Sequence, residues 1–205
     1  MKRSGKRSRE LVAQETARLM LEGGIESIPK ARAKALRRFG LPGHGPAVPT
    51  EAEVRRELEI RVRLFARGNH QQAWQRWCLA ALEVMELLTP FAAVAGGAVA
   101  TGLLLPAARL VLYTTAATPE DLAHHLLDRG VRFTFGDLRI PCGSGECTVN
   151  AYRLRGQQHE TWVAVLPQTQ WRRSTPLSHD GSTLPHMDRE TLLAALDQPH
   201  PEQGE

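Results

Sequence analysis

Apolar residues recur at helical spacing through the first ninety residues of this chain. The pattern predicts four helices, and local residues set their ends. Pro29 suits a first helical turn, Gly40 suits a C-terminal cap, and Thr50 with Glu53 has the spacing of a capping box. The expected helices cover residues 8–21, 29–39, 50–67 and 70–88.

The pattern changes after residue 90, where short runs of apolar and β-favouring residues predict strands. Thr118 and Pro119 open a further helix that closes at Gly130, and residues 171–188 are expected to be loop. A short helix over 189–196 and a disordered tail over 198–205 complete the chain. The expected strands cover 92–94, 110–113, 131–135, 148–154 and 161–166.

The order of these elements is helix, strand, glycine turn, short helix, strand, helix and further strands. It resembles the nucleotidyltransferase superfamily that includes polymerase β-like enzymes, and residues 10–197 are similar to small bacterial proteins of that type. The resemblance implies an α+β fold, with an N-terminal helical region followed by a nucleotidyltransferase-like mixed β-sheet packed with helices. It further implies a basic extension over 1–45 and a main domain over 50–197 that includes helices 50–67 and 70–88. The likeness rests on residues 17–25, 31–41, 96–102, 110–113, 118–122, 151–154 and 163–167, and on the helix that enters Pro90.

The acidic residues that such an enzyme needs are missing from their expected positions. In the superfamily, two carboxylates spaced i and i+2 on the strand after the glycine turn hold divalent metal ions, since alternate side chains share one face of a strand. Those positions hold Ala107, Arg109 and Val111, and a third acid is absent near Trp162 and Ala164. We therefore predict no catalytic residue, no metal site and no cofactor, and we expect an inactive relative that acts by binding.

The glycine turn has the backbone groups of a nucleotide site but lacks its metal-binding carboxylates. Its amides could approach a phosphate, and an arginine could pair with the phosphate without a metal. We predict nucleotide binding by Gly96, Gly97, Thr101 and Arg109. The competing interpretation is that Gly96 and Gly97 serve only the backbone conformation of the turn.

Positive charge is concentrated at the N-terminus, although the whole chain carries a net charge of only +4. The first forty residues contain eleven lysines and arginines against four glutamates. Such an imbalance favours binding to RNA, or to nucleic acid without sequence selection, and the alternative is a solvated face that serves solubility. The predicted contact residues are Arg18, Lys30, Arg32, Lys34, Arg37 and Arg38.

Two further function classes stay open. An active transferase would need acids at unusual positions, such as Glu120, Asp121 and Glu160, and would use Mg²⁺. The uncharged segment 87–108 is long enough to suggest membrane association or a protein-interaction module. Its prolines, glycines and many alanines favour a strand, turn and short helix instead, so we expect no membrane partner.

Three cysteines are too few for a secreted disulfide framework, so we expect a reduced, cytoplasmic protein. Cys142 and Cys147 lie close together in a glycine-rich stretch. They are compatible with a metal site, a reversible disulfide or ordinary loop residues.

Overall fold

A computed structural model describes residues 2–25, 27–65, 67–105, 108–142, 145–156, 160–179 and 181–197. The predicted tail over 198–205 and Ala107 lie outside these ranges. The chain divides into two compact units. Unit 1 comprises residues 1–72 and 103–108, and unit 2 comprises residues 73–102 and 109–205.

Unit 1 is helical. Helix α1 covers Lys2–Leu21, α2 covers Ile28–Arg38, and α3 covers Glu51–Phe65. The predicted capping box begins α3: the Thr50 amide donates to Glu53 Oε2 at 2.7 Å, and the Glu53 amide donates to Thr50 Oγ1 at 3.3 Å. Helix α1 packs against both α2 and α3. The shared core consists of Val12, Ala13, Ala17, Leu19, Met20, Ala31, Ala35, Leu36, Val54 and Leu58.

Helix α4 covers Arg67–Leu87, and the boundary between the two units falls within it. This division differs from the expected boundary at residues 45–50. Helix α3 groups with the basic N-terminal helices because its buried Val54 and Leu58 belong to their core rather than to the sheet. Leu103 and Leu105 pack against the same core, so a short segment after the glycine turn also belongs to unit 1.

Unit 2 is built on a six-stranded mixed sheet. Its strands are β1 (Val94–Gly96), β2 (Leu110–Thr115), β3 (Phe133–Cys142), β4 (Gly145–Arg155), β5 (Glu160–Leu166) and β8 (His186–Met187). Their order in the sheet is β3-β4-β5-β2-β1-β8. Strands β2 and β5 pair in parallel, and the other neighbours pair antiparallel. Together with the helices, this sheet gives the α+β fold that the sequence predicts.

Besides residues 73–87 of α4, the described part of unit 2 contains three further α-helices and a two-stranded hairpin. Helix α5 covers Gly97–Thr101, α6 covers Pro119–Asp128, and α7 covers Arg189–Asp197. Strands β6 (Trp171–Arg172) and β7 (Thr175–Pro176) form the hairpin. Residues 171–188, expected to be loop, thus contain three short strands, including the sixth strand of the main sheet. Their two-residue length is too short for a periodic pattern to show.

Side chains alternate between two cores on the opposite faces of the sheet. Leu110, Leu112, Val163 and Val165 share one core with residues of α4, α6 and α7. Val111, Tyr113, Ala164 and Leu166 point to the other face and share a core with Leu138, Ile140 and Leu184. The second face is the one on which the resemblance places the metal-binding acids, so its composition bears directly on function.

Candidate functional site

The two glycines of the turn lie beside Tyr113. Gly96 ends β1, and a Cβ atom placed on it would overlap the Tyr113 ring, with Cζ at 2.7 Å and Cδ2 at 2.8 Å. Tyr113 itself is 2% exposed. Gly96 is therefore required by close packing of an aromatic ring, which is a structural role.

Gly97 has a φ of 53°, in the left-handed region that glycine adopts most readily. Burial raises the pKa of the Tyr113 phenol to about 12, and the nearby Gly97 amide opposes this rise. Thr101 turns its hydroxyl back to the helix and donates to the Gly97 carbonyl at 3.0 Å. Three of the four predicted nucleotide-binding residues thus have local structural contacts, which favours the interpretation that the glycines serve the turn.

Arg109, the fourth predicted residue, belongs to a different arrangement. It is exposed, and its guanidinium carbon lies 5.5 Å from the centroid of the Trp162 ring. Arg153 lies opposite Trp162 on the neighbouring strand, with its guanidinium carbon 5.9 Å from the same centroid. Both distances are within the range of a cation–π interaction. We call Arg109, Trp162 and Arg153 the arginine–tryptophan cluster; the sequence analysis identified Arg109 but not Trp162 or Arg153 as binding residues.

The strand register explains how this cluster forms. Val111 is opposite Trp162 in the parallel β2–β5 pair, and Trp162 is opposite Arg153 in the antiparallel β4–β5 pair. Arg109 precedes β2 and is two residues from Val111, so it belongs to the same face. The cluster therefore occupies the sheet face expected to hold three carboxylates, and it gives that face a positive charge.

Arg153 is fixed by polar contacts as well as by the ring. Its Nε donates to Thr134 Oγ1 at 3.1 Å and lies 3.7 Å from Glu160 Oε1. Arg109 has no hydrogen-bond or ion-pair partner among the residues that the structure describes. The cluster thus combines one anchored guanidinium with one that is available to an anion.

The acids considered for an unorthodox transferase do not converge. Asp121 closes the capping box of α6, accepting from the Thr118 amide at 2.9 Å, and Glu160 lies beside Arg153. Within the described ranges, no three His, Cys, Asp or Glu side chains are grouped so that they could hold a metal ion.

Three of the arginines predicted to contact nucleic acid form hydrogen bonds within unit 1. Arg18 donates to both carboxylate oxygens of Glu15 at 2.9 Å and to Glu22 at 2.7 Å. Arg38 donates to Glu15 at 3.0 Å, and Arg32 donates to the Pro49 carbonyl at 3.0 Å. Arg18 uses three of its five N–H donors in these bonds, whereas Arg32 and Arg38 each use one.

The other three predicted contacts lie along the solvent side of α2. Lys30, Lys34 and Arg37 are all exposed, and their i, i+4, i+7 spacing puts them on one face of the helix. Neither lysine has a hydrogen-bond or ion-pair partner in the described part of the chain, and Arg37 makes only a 3.4 Å contact to the Ala33 carbonyl. We call these three residues the α2 basic face. The opposite side of α2, with Ala31, Ala35 and Leu36, is buried.

A groove of about 660 Å³ is a further feature that the sequence did not indicate. It lies at the β6–β7 hairpin, and both Arg172 and Arg173 are exposed at its wall. Its other lining residues are Thr175, Leu177, Gly181 and Thr183. The groove places two more arginines on unit 2.

The two cysteines whose side chains the structure describes differ in state. Cys147 is disulfide-bonded, whereas Cys78 is free and fully buried. Burial raises the pKa of the Cys78 thiol to about 12. The side chain of Cys142 lies outside the described part of the structure. The disulfide at Cys147 argues against metal ligation by that sulfur.

The uncharged segment 87–108 is not one continuous helix, because it contains the end of α4, strand β1 and the short α5. Across the described residues, none of the helices combines the length and the apolar character needed to cross a membrane. Comparison with known protein families and with curated proteins gives no match.

Proposed function

We propose that this chain is a nucleotidyltransferase-like protein that binds nucleic acid, RNA in particular, through its phosphates and does not carry out metal-dependent nucleotidyl transfer. The observation that carries this proposal is the arginine–tryptophan cluster, which occupies the sheet face where the resemblance places metal-binding acids. A face with two guanidiniums repels Mg²⁺ and attracts phosphate.

The chemistry of the cluster suits a phosphate oxygen. A guanidinium presents parallel N–H donors that match phosphate geometry, and stacking on an aromatic ring restricts its motion before the ligand arrives. Arg153 is held by Thr134 and Trp162, and Arg109 is exposed beside the same ring. The cluster thus provides a fixed donor and an accessible one for phosphate.

The α2 basic face supports a polymer as the ligand. Lys30 and Arg37 are seven residues apart, which corresponds to about 10 Å along a helix. A row of that length can contact more than one phosphate, and such contacts give sequence-independent affinity that falls as salt rises. Each unit therefore carries a positively charged surface of its own.

Titration of the full chain with a fluorescent single-stranded RNA in EDTA tests the proposal. Arg109→Glu and the double change Lys30→Glu/Lys34→Glu should each weaken binding by about tenfold or more and reduce its salt dependence. Arg129→Glu/Arg132→Glu is the matched control for the double change, because it alters charge equally at two exposed residues of unit 2. Binding that is unaffected by the cluster and α2 changes, or weakened equally by the control, would reject the proposed surfaces.

A free nucleotide is the second candidate ligand. Two guanidiniums beside one ring can bind the phosphates of a single nucleotide, and Arg109 is the exposed one of the two. Calorimetric titration with each nucleoside triphosphate, in EDTA and in Mg²⁺, separates the two ligands. Tight nucleotide binding that persists in EDTA and is lost in Arg109→Glu would favour the nucleotide as the ligand, provided that the protein does not bind RNA. Incorporation of labelled nucleotide that Glu160→Gln abolishes would instead establish an active transferase.

A further inference from the structure

Strand β3 forms one edge of the six-stranded sheet. It covers ten residues, Phe133–Cys142, and pairs with β4 along its inner side. In the described part of the chain, no strand pairs with its outer side. A long edge strand leaves backbone donors and acceptors free to pair with another strand, and natural proteins usually protect such edges.

The exposed face of this edge strand carries two charges of opposite sign. Phe135, Asp137 and Arg139 alternate along one face, and all three are exposed, with Phe135 at 58%. Leu138 and Ile140 on the opposite face are each only 3% exposed. One face of the strand is therefore buried in the core, and the other face exposes an acidic, a basic and an aromatic side chain.

We propose that β3 pairs antiparallel with β3 of a second copy of this chain, about a two-fold axis at Leu138. In this register Asp137 lies opposite Arg139 of the second copy, and Arg139 lies opposite its Asp137. The pairing is self-complementary, as a two-fold interface requires. It forms two cross-strand ion pairs and extends the sheet across both copies.

Neighbouring registers are electrostatically worse. An axis at Asp137 places the two aspartates opposite each other, and an axis at Arg139 does the same for the arginines. Like charges directly opposite each other destabilise a strand pair. The register at Leu138 also brings Arg139 of the second copy diagonally across from Phe135, where a long side chain can cover the exposed ring. The alternating charges therefore favour the register at Leu138, and they make β3 of a second copy a complementary partner for β3.

Sedimentation velocity of the full chain over a concentration series should show a monomer–dimer equilibrium. Asp137→Arg and Arg139→Asp, each alone, place like charges opposite each other twice in the dimer. Each should weaken dimerisation by about tenfold or more. Because both positions are exposed, circular dichroism and the melting temperature of the monomer should be unchanged.

Complementation between variants provides the decisive measurement. An equimolar mixture of the Asp137→Arg and Arg139→Asp proteins places opposite charges at both sites, so the two weakened variants should dimerise with each other. The double variant Asp137→Arg/Arg139→Asp should recover self-association for the same reason. A monomer at all concentrations, or a dimer that neither charge change weakens, would overturn the proposal. Failure of both the mixture and the double variant would overturn the register.

Discussion

The Tyr113 ring lies so close to Gly96 that no Cβ atom fits between them. A glycine pair that the resemblance associates with phosphate thus has a packing role within the sheet. Gly96→Ala should lower the free energy of unfolding by about 2 kcal/mol or more, because a Cβ atom overlaps the ring. Denaturant unfolding measures the loss. Gly43→Ala, at a glycine with open space around it, is the control and should have little effect.

Tyr113→Phe tests the role of the tyrosine hydroxyl. It removes the hydroxyl that interacts with the Gly97 amide, which should cost about 1 kcal/mol at neutral pH. The pKa of the native phenol is raised to about 12, so the native state retains a proton that the unfolded state loses from about pH 10 upward. Stability should therefore fall between those pH values in the unmodified protein and fall less in the variant. Equal alkaline losses in both proteins would contradict this role of Tyr113.

Glu15 accepts charged hydrogen bonds from Arg18 and Arg38 and thereby links α1 to α2. These contacts, with the Arg18 hydrogen bonds first among them, hold the pKa of Glu15 below its usual value. Glu15→Gln should lower the free energy of unfolding by about 1 kcal/mol. Glu22→Gln removes a more exposed partner of Arg18 and should cost less, so it is the matched control. Thermal unfolding of the two variants at neutral pH gives the comparison.

His70 accepts a hydrogen bond from the Leu104 amide at 3.2 Å, within unit 1. Burial lowers the pKa of this imidazole from 6.5. The unfolded state therefore binds a proton first as the pH falls, so stability is lost below about pH 6.5 and the loss ends below the folded-state pKa. His70→Leu should flatten this part of the stability curve, whereas exposed His124→Gln should leave it unchanged. If the His70→Leu protein lost stability below about pH 6.5 as the unmodified protein does, other groups would be responsible for the loss.

The sequence alone predicted the positions of the long helices, most of the long strands and the α+β class. These features follow from local rules: periodic apolar residues, the Thr50 and Thr118 capping boxes, and the prolines of first turns. The sequence also located the basic N-terminal helices, since charge can be counted without coordinates.

Only the tertiary structure decided which of these residues are available for function. A count of charges treats Arg18, Arg38, Lys30 and Lys34 alike. In the structure, Glu15 on α1 pairs with both arginines, whereas neither lysine has a partner among the described residues. The register of β2, β5 and β4 brings Arg109 and Arg153 to one tryptophan from distant parts of the chain. Local pattern determines secondary structure because its forces act over a few residues, whereas a binding surface depends on contacts between residues that only folding brings together.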